Sequence, residues 1–530
     1  MNSVIETVSL DRAPAEQLPT GESCVLVIFG ASGDLGRRKL IPALYDLACM
    51  GCVNPRFDVL GIGRTPMSSE DFRARMHEST AVSKDARGFD EKRWADFEKR
   101  LVYFQGDPTD RSFYPHLKTQ LEQIRGAGGS ANHLFYISTP ASVAGPIIEG
   151  LKSAGLNQNA NGWTRIVLEK PFGRDLSSAR ELNETVLRSF AERDVYRIDH
   201  YLGKETVQNM LVFRFANSLF EPVWNRNYIE CVEITAAETV GVEARAAFYE
   251  ETGALRDMVA NHLLQLLAIT AMEPPIAFDA DSVRGQKVQA FRSIRPMSAD
   301  EIARRTVRGQ YASGEISGKP VAGYREEPKV RPNSSTETFV AIEFHVDNWR
   351  WEGVPFYVRT GKRLARQLTE VRVHFKRTPQ ALFSRTPDDQ IEPNVVVINI
   401  QPNEGIVLQF GAKRPGGHMQ VVPVQANFCY NTAFDGNTPV AYETLLLDAM
   451  RGDPTLFTRG DEIEAEWSII TPIEEAWKRI PVDFPNYAAG SEGPIAANAL
   501  INALPRGWQP LAPASVKNGD RSWPCAETAK

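Results

Sequence analysis

The apolar run CVLVIF leads directly into Gly30-Ala31-Ser32-Gly33-Asp34-Leu35-Gly36, which opens into RRKLIPALYDL. No other stretch restricts the fold as strongly. Strand, glycine-rich turn and helix in that order set backbone N–H groups at a helix N-terminus, where a pyrophosphate can bind. Gly30, Gly33 and Gly36 permit a tight turn and a close approach of phosphate to the main chain. Their spacing is G-x-x-G-x-x-G rather than the commoner G-x-G-x-x-G, and three glycines alone prove little. The flanking strand and helix favour a dinucleotide site over a plain turn.

Residues 24–200 repeat this theme. CVLVIFG, FDVLGIG, LVYFQGD, NHLFYIS and RIVLEKP read as strands, separated by amphipathic patterns such as RRKLIPALYDLA and SSARELNETVLRSFA. The alternation predicts βαβ units and a Rossmann-like, doubly wound parallel sheet. The second strand ends in Arg64, where an NAD-selective site usually carries Asp or Glu. A guanidinium there offers a bidentate donor to a 2′-phosphate, which favours NADP and leaves NAD open as a secondary cofactor.

After residue 200 the strand-like runs cluster: YIECVEITAAE, TFVAIEFHV, VPFYVRTG, TEVRVHFKR, NVVVINI and GIVLQFG. Few helices separate them, which predicts a large, mainly antiparallel sheet, with helices at 204–215, 254–272 and 440–450. The fold class is therefore α/β plus α+β. The expected division is a flexible tail 1–20, a dinucleotide-binding domain 21–199, a substrate-binding and oligomerisation domain 200–512 and a polar tail 513–530. A chain of 530 residues has room for it.

Charge and composition exclude other classes. A net charge of −6 leaves no basic footprint for nucleic acid. No apolar run is long enough to span a bilayer, and the N-terminal residues have no apolar core of a signal peptide. Of six cysteines only Cys49-Met50-Gly51-Cys52 has suggestive spacing, without a second ligand pair or a thioredoxin-like context, so the pair reads as structural. Cysteines without a disulfide pattern fit the cytoplasm.

A dinucleotide enzyme needs a base. His77, His116 and His133 lie among charged or loop-like residues and read as surface; His345, His374 and His418 lack an evident companion. His262 differs. Helical spacing in ALRDMVANHLLQLLAIT puts it on an apolar face with Leu255, Met258, Val259, Leu266 and Ile269. A histidine there is more often a satisfied core residue than a catalyst unless a carboxylate orients it. Asp257, five residues earlier, lies off that face, so the carboxylate must come from another segment.

RIDHYLGKE supplies one. DVYRIDHYL reads as a strand, and Gly203 marks a turn into the helix KETVQNMLVFRF. At that edge Asp199 would serve the base, while His200, Tyr201 and Lys204 would suit the anion of a phosphorylated polyol. Lys204 adds its charge to a helix start that already favours phosphate. Lys170-Pro171, at the end of RIVLE, offers a second lysine, held extended before a proline and compatible with a cis bond.

These residues match a known pattern. GASGDLGRRKL, EKPFG, RIDHYLGKE, RDMVANHLLQ, STETFV and NWRWEGVPFYVRTGK together resemble the glucose-6-phosphate 1-dehydrogenase family over roughly residues 21–512. RIDHYLGKE is the most specific of them. The resemblance implies oxidation of C1 of β-D-glucose 6-phosphate to 6-phospho-D-glucono-1,5-lactone, with hydride passing to NADP, the first oxidative step of the pentose phosphate pathway. It implies His262 as general base with Asp199 behind it, and His200, Tyr201 and Lys204 on the 6-phosphate. Lys170, Glu238, Asp257, Lys362 and Gln367 would hold the sugar hydroxyls, and Ser32, Lys39, Arg64 and Lys170 would serve the cofactor site. No metal is implied, and the family's association through the large sheet implies a homodimer or homotetramer. Gly36 stands where the family often carries Ala, a departure expected to be harmless. The region after Trp508 departs from the eukaryotic members, which argues against a second, structural NADP site. A sugar oxidoreductase of the glucose–fructose type would not require the phosphate cluster, and a cofactor sensor would not require the Asp199–His262 pair.

Overall fold

Six parallel strands form the first sheet: β1 (Val25–Phe29), β2 (Asp58–Gly63), β3 (Leu101–Gln105), β4 (His133–Ile137), β5 (Thr164–Leu168) and β6 (Val195–Arg197). The computed structural model describes residues 19–83, 86–378, 391–416, 419–434, 439–501 and 507–511. The strand order is β3-β2-β1-β4-β5-β6, the doubly wound order whose reversal falls between β1 and β4. All five residues of β1 are buried, because helices cover both faces of a parallel sheet. Leu26 and Ile28 join one apolar cluster; Val25, Val27 and Phe29 join the cluster on the opposite face, following the two-residue period of a strand.

The second sheet is built from β7 (Ile229–Ala237), β8 (Thr306–Gly309), β12 (Phe339–His345), β13 (Pro355–Gly361), β14 (Leu368–Phe375), β15 (Val395–Gln401), β16 (Gly405–Lys413) and β17 (Val421–Cys429). Short strands β9 (Tyr311–Ala312), β10 (Gly314–Ile316) and β11 (Lys319–Val321) lie between β8 and β12, and β18 (Tyr487–Ala488) pairs with β9. The order β17-β16-β15-β14-β7-β13-β12-β8 is antiparallel except where β7 meets β13. The predicted fold class is the observed one. The segments Leu255–Ala271, Ala280–Arg292 and Gly460–Trp477 contribute to one continuous core with this sheet. No helix among the described residues is long and apolar enough to cross a membrane.

Two local expectations change. DVYRIDHYL is not one strand. β6 stops at Arg197, and the chain then turns, with Leu202 N donating to Asp199 O at 3.0 Å and Lys204 N to Tyr201 O at 3.1 Å. The helix predicted over 254–272 exists, but Leu255–Leu263 winds as a π-helix before Leu264–Ala271 continues as α.

The helix Ala441–Arg451 returns to the first sheet. Leu445, Leu446, Leu447 and Met450 share a core with Leu26, Leu44 and Tyr45. Full burial of such a side chain contributes roughly 1.5–3 kcal/mol. Their sum outweighs the polar contacts at the same seam, such as Arg87 with Glu443 at 2.8 Å, since a hydrogen bond nets about 1 kcal/mol.

Candidate active site

At the coenzyme end the turn is made almost entirely of backbone. Gly30 has φ +86°, and a Cβ on it would lie 2.7 Å from Ser138 O. A Cβ on Gly36 would collide with the Ala31 carbonyl, so the backbone must shift to admit Ala and the departure is not neutral in this chain. Gly33 N donates to Gly30 O at 2.9 Å and Arg37 N to Gly33 O at 3.2 Å, closing the turn onto a short π-helical start, Gly36–Leu40. Ser32 Oγ packs against the end of β2 at Gly63. Arg64 follows β2 at the surface, near enough to Asp107 to help lower its carboxyl pKa. The Ser138 and Thr139 hydroxyls, just after β4, are buried without a hydrogen-bond partner, as donors awaiting a ligand beside Gly30 would be. Sequence reasoning missed them, although a polar pair at a strand end beside the switch point was a readable signal.

The base end is made of buried side chains. His262 Nδ1 lies 2.5 Å from Asp199 Oδ1, and both residues are almost fully buried. Asp199 Oδ1 also accepts from Tyr201 N at 3.0 Å, while Oδ2 is buried without a partner. Lys170 Nζ lies 2.7 Å from His262 Nε2. An ammonium on one side and a carboxylate on the other fit the tautomer with its proton on Nδ1, with the Nε2 lone pair accepting from Lys170. Burial lowers the imidazole pKa; the Asp199 carboxylate opposes this and the Lys170 charge reinforces it, so the ring rests neutral. Burial works to raise the Asp199 pKa, but the His262 ring with its hydrogen bond, together with the Lys170 charge, holds it well below the usual carboxylate range.

The π winding explains a residue expected elsewhere. With i→i+5 bonding, residues five apart share a side of the helix, as residues four apart do in an α-helix. Asp257 therefore faces inward beside His262. Lys170 Nζ donates to Asp257 O at 3.0 Å and lies 3.7 Å from its Oδ1, and Arg245 Nη2 donates to Oδ1 at 3.2 Å. Burial would raise the Asp257 pKa, but Lys170, Arg245 and Lys362 hold it low. The Lys170–Pro171 bond is cis.

Lys362 Nζ donates to Glu238 Oε2 at 2.5 Å, the two residues following the ends of the neighbouring strands β13 and β7. The Tyr249 ring centre lies 5.3 Å from Lys362 Nζ, and the tyrosine hydroxyl is buried without a partner and feels the Asp257, Glu337 and Glu238 charges. Tyr249 and Arg245 went unread in the sequence because the segment VEARAAFYEE carries no motif that marks a site. Gln367 is exposed just before β14, outside this buried group.

In the turn after β6, the Tyr201 ring stacks on His262 at 4.2 Å and 17°, and Lys204 Nζ sits 4.2 Å from the Tyr201 ring centre. Tyr201 thus buttresses the His262 ring. Lys204 precedes the helix Glu205–Phe215 and donates to Gln401 Oε1 at 2.5 Å. Burial brings its pKa down to about 8, against the pull of Glu404 and Asp199, and the like charge of Lys39 adds to the fall. Lys39 thereby stands near the anion end. Burial, His262 and Lys170 keep His200 neutral. Asp199, His200 and His262 cluster as metal ligands can, but the Lys170 ammonium against Nε2 opposes a cation there.

The other histidines stay outside the site. His116 is exposed and His77 pairs with Glu91 at 2.9 Å, but His133 heads β4 half-buried rather than at the surface. His345 and His374 do have companions, Glu343 and Glu233, each at 2.7 Å. His418 lies outside the described residues. A cavity of about 980 Å³, lined by Thr139, Lys170, Phe172, Asp199, Asn261 and Trp467, opens beside the buried dyad.

A glycine turn at the switch point of a doubly wound sheet, joined to a buried carboxylate–imidazole base, defines a nicotinamide-dependent dehydrogenase. Two family models match in succession: glucose-6-phosphate dehydrogenase, NAD binding domain, over residues 27–209, and its C-terminal domain over 211–509. The chain belongs to the glucose-6-phosphate dehydrogenase family. It is 45% identical to glucose-6-phosphate 1-dehydrogenase of Chlamydia pneumoniae over 521 residues, covering 96% of this chain and 100% of that one. Identity to the Bacillus subtilis enzyme of the same name is 44%, covering 90% and 96%. A structure described as glucose-6-phosphate dehydrogenase in complex with its substrate glucose-6-phosphate superposes with TM-score 0.84 at 33% identity, covering 93% of this chain and 99% of that chain. The Mycobacterium avium glucose-6-phosphate 1-dehydrogenase gives 0.78 at 35%, covering 93% and 100%.

Proposed function

We propose that this chain oxidises C1 of β-D-glucose 6-phosphate to 6-phospho-D-glucono-1,5-lactone with NADP as acceptor, the first oxidative step of the pentose phosphate pathway. The observation that carries this reading is the Asp199–His262–Lys170 line, with contacts of 2.5 and 2.7 Å on opposite ring nitrogens. His262 Nε2 takes the proton from the C1 hydroxyl as C1 is oxidised, and Asp199 stabilises the imidazolium that forms. Lys170 yields its bond to Nε2 to the incoming hydroxyl and holds that oxygen in line. The nicotinamide, when bound, accepts the hydride from C1. Glu238, Asp257, Lys362 and the Tyr249 hydroxyl hold the sugar hydroxyls, and Gln367 joins them if its exposed end folds inward. His200, Tyr201 and Lys204 hold the phosphate, whose charge restores the proton affinity that burial takes from Lys204.

Gly30, Ser32, Gly33 and Gly36 cradle the coenzyme pyrophosphate, and Ser138 and Thr139 supply further donors. Arg64 favours the 2′-phosphate of NADP, with NAD as a weaker substitute, and Lys39 adds positive charge beside the turn. The chain divides near residues 199 and 200, with Ala441–Arg451 returning to the coenzyme half. Copies associate through the large sheet as a dimer or tetramer, a reading supported by the exposure of β17. The cytoplasm remains the proposed location on the free thiols at Cys24, Cys49, Cys52 and Cys231, although Cys429, against the sequence expectation, is disulfide-bonded.

The test is absorbance at a wavelength specific to the reduced nicotinamide, comparing the phosphate ester with glucose and NADP with NAD. Turnover of the ester with NADP is expected, and no turnover by pure protein sinks the assignment. Equal rates with both coenzymes in wild type and in Arg64→Ala would remove Arg64 from the cofactor site.

A further inference from the structure

The motif Ser335–Val340 leads into β12 and has no part in the reaction as derived so far. Yet it touches both walls of the sugar site. Glu337 O accepts from Ala254 N at 3.0 Å, and Glu337 Oε1 accepts from Leu255 N at 3.0 Å. Leu255 is the first residue of the π-helical segment that carries Asp257 and His262. On the other wall, Thr338 O accepts from Lys362 N at 2.9 Å. Thr336 Oγ1 donates to Glu250 O at 3.2 Å, tying the motif to the helix just before the π segment.

The approach of Glu337 is built into its neighbour. Gly253 has φ +61°, where L side chains are strained, and a Cβ on it would collide with Glu337 Oε1. Only glycine lets the carboxylate reach the Leu255 amide. That amide is one of the donors a helix start leaves unsatisfied, and a carboxylate there is favoured by the dipole as well. Because π winding is rare and poorly bonded, its register depends on how its first turn is held.

We propose that Glu337 is a positioning residue for the reaction: by gripping the Leu255 amide it fixes the winding that brings Asp257 and His262 against Lys170, while adjoining Thr338 holds Lys362 opposite. This rests on His262 being the base. The groups facing Glu337 are Glu474 from the helix Gly460–Trp477, Arg308 from β8 and Tyr249 from the helix Ala246–Ala254. Burial pushes the Glu337 carboxyl up to about 7; its backbone donors and Arg308 oppose the rise and Glu474 adds to it. As pH falls through that value the carboxylate gains a proton and its grip on the amide weakens.

Glu337→Gln keeps the shape and an oxygen acceptor but cannot titrate; Glu337→Ala removes the grip. In wild type, kcat is expected to step down as pH falls through about 7, and in Glu337→Gln that step is lost. The substrate phosphate titrates alike in both and cancels. Glu337→Ala is expected to lower kcat about tenfold or more, with KM for NADP within about twofold. Hydrogen exchange over residues 250–263, read by mass spectrometry, is expected to quicken by about tenfold in Glu337→Ala and less in Glu337→Gln, with the first sheet unchanged. Identical kcat–pH profiles for wild type and Glu337→Gln, or wild-type exchange in both variants, would overturn the proposal. Should Glu337→Ala not fold, Glu337→Gln carries both readouts. If wild-type protein leaves the ester unoxidised, the base assignment falls by itself, and exchange alone decides whether Glu337 holds the segment.

Discussion

The turn after β1 and the group around His262 solve opposite problems with different materials. The turn spans seven consecutive residues, from Gly30 to Gly36, and works by leaving side chains out, so that backbone and phosphate can meet. The group around His262 is assembled from Lys170 after β5, Asp199 after β6, Glu238 after β7, Asp257 and His262 on the π segment, and Lys362 after β13. Every one of those groups is ionisable, and several are buried, so each needs its neighbours to stay charged or neutral as required. A phosphate cradle can therefore be local and tolerant of its surroundings. An acid–base pair with opposed protonation needs the whole fold around it.

Three substitutions probe that contrast, from the most to the least severe. His262→Asn removes the group proposed to take the proton and is expected to lower kcat by about two to four orders of magnitude, with sugar binding nearly unchanged. If steady-state kinetics instead show mainly a higher KM, His262 binds and the base lies elsewhere. Lys204→Ala is expected to raise KM for the ester by about 10- to 100-fold and to leave weak turnover of glucose unaffected. The same lysine predicts a pH effect. Its pKa lies near 8, so the free enzyme loses this cation as pH rises past that value. Wild-type kcat/KM for the ester should then fall on the alkaline side, and Lys204→Ala should lack that fall. Equal losses for ester and glucose would contradict phosphate contact. Gly36→Ala is the mildest: the added Cβ displaces the Ala31 carbonyl, and KM for the coenzyme rises about three- to tenfold while KM for the sugar holds. A loss confined to the sugar would mean that the two ends are not separable.

What could be read in the sequence follows the same division. The strands of the first sheet, its glycine turn and the large second sheet declare themselves through periodicity and turn residues, which are local. The need of His262 for a distant carboxylate was also legible, and Asp199 meets it at 2.5 Å. The inward turn of Asp257 was not. An α-helical period puts it off the face of His262, and nothing in LRDMVANHL marks a change of winding. The length of β6 was overread for a related reason: apolar Ile198 and Leu202 continue a strand-like pattern, while the backbone has already turned at Asp199 to hold the base. Tyr249 and Arg245 stayed hidden because their importance lies in which charges surround them, a property of the assembled core.

The return of Ala441–Arg451 to the first sheet bears on the order in which the protein can be made. A nascent chain that has emerged only as far as β6 holds every strand of the coenzyme half but not Leu445, Leu446 and Met450, which complete the core over Leu44 and Tyr45. That apolar surface stays uncovered while more than half of the sequence is still to be translated, a state that invites chaperone binding or misassociation. The coenzyme half begins the chain, yet it is among the last parts to be sealed.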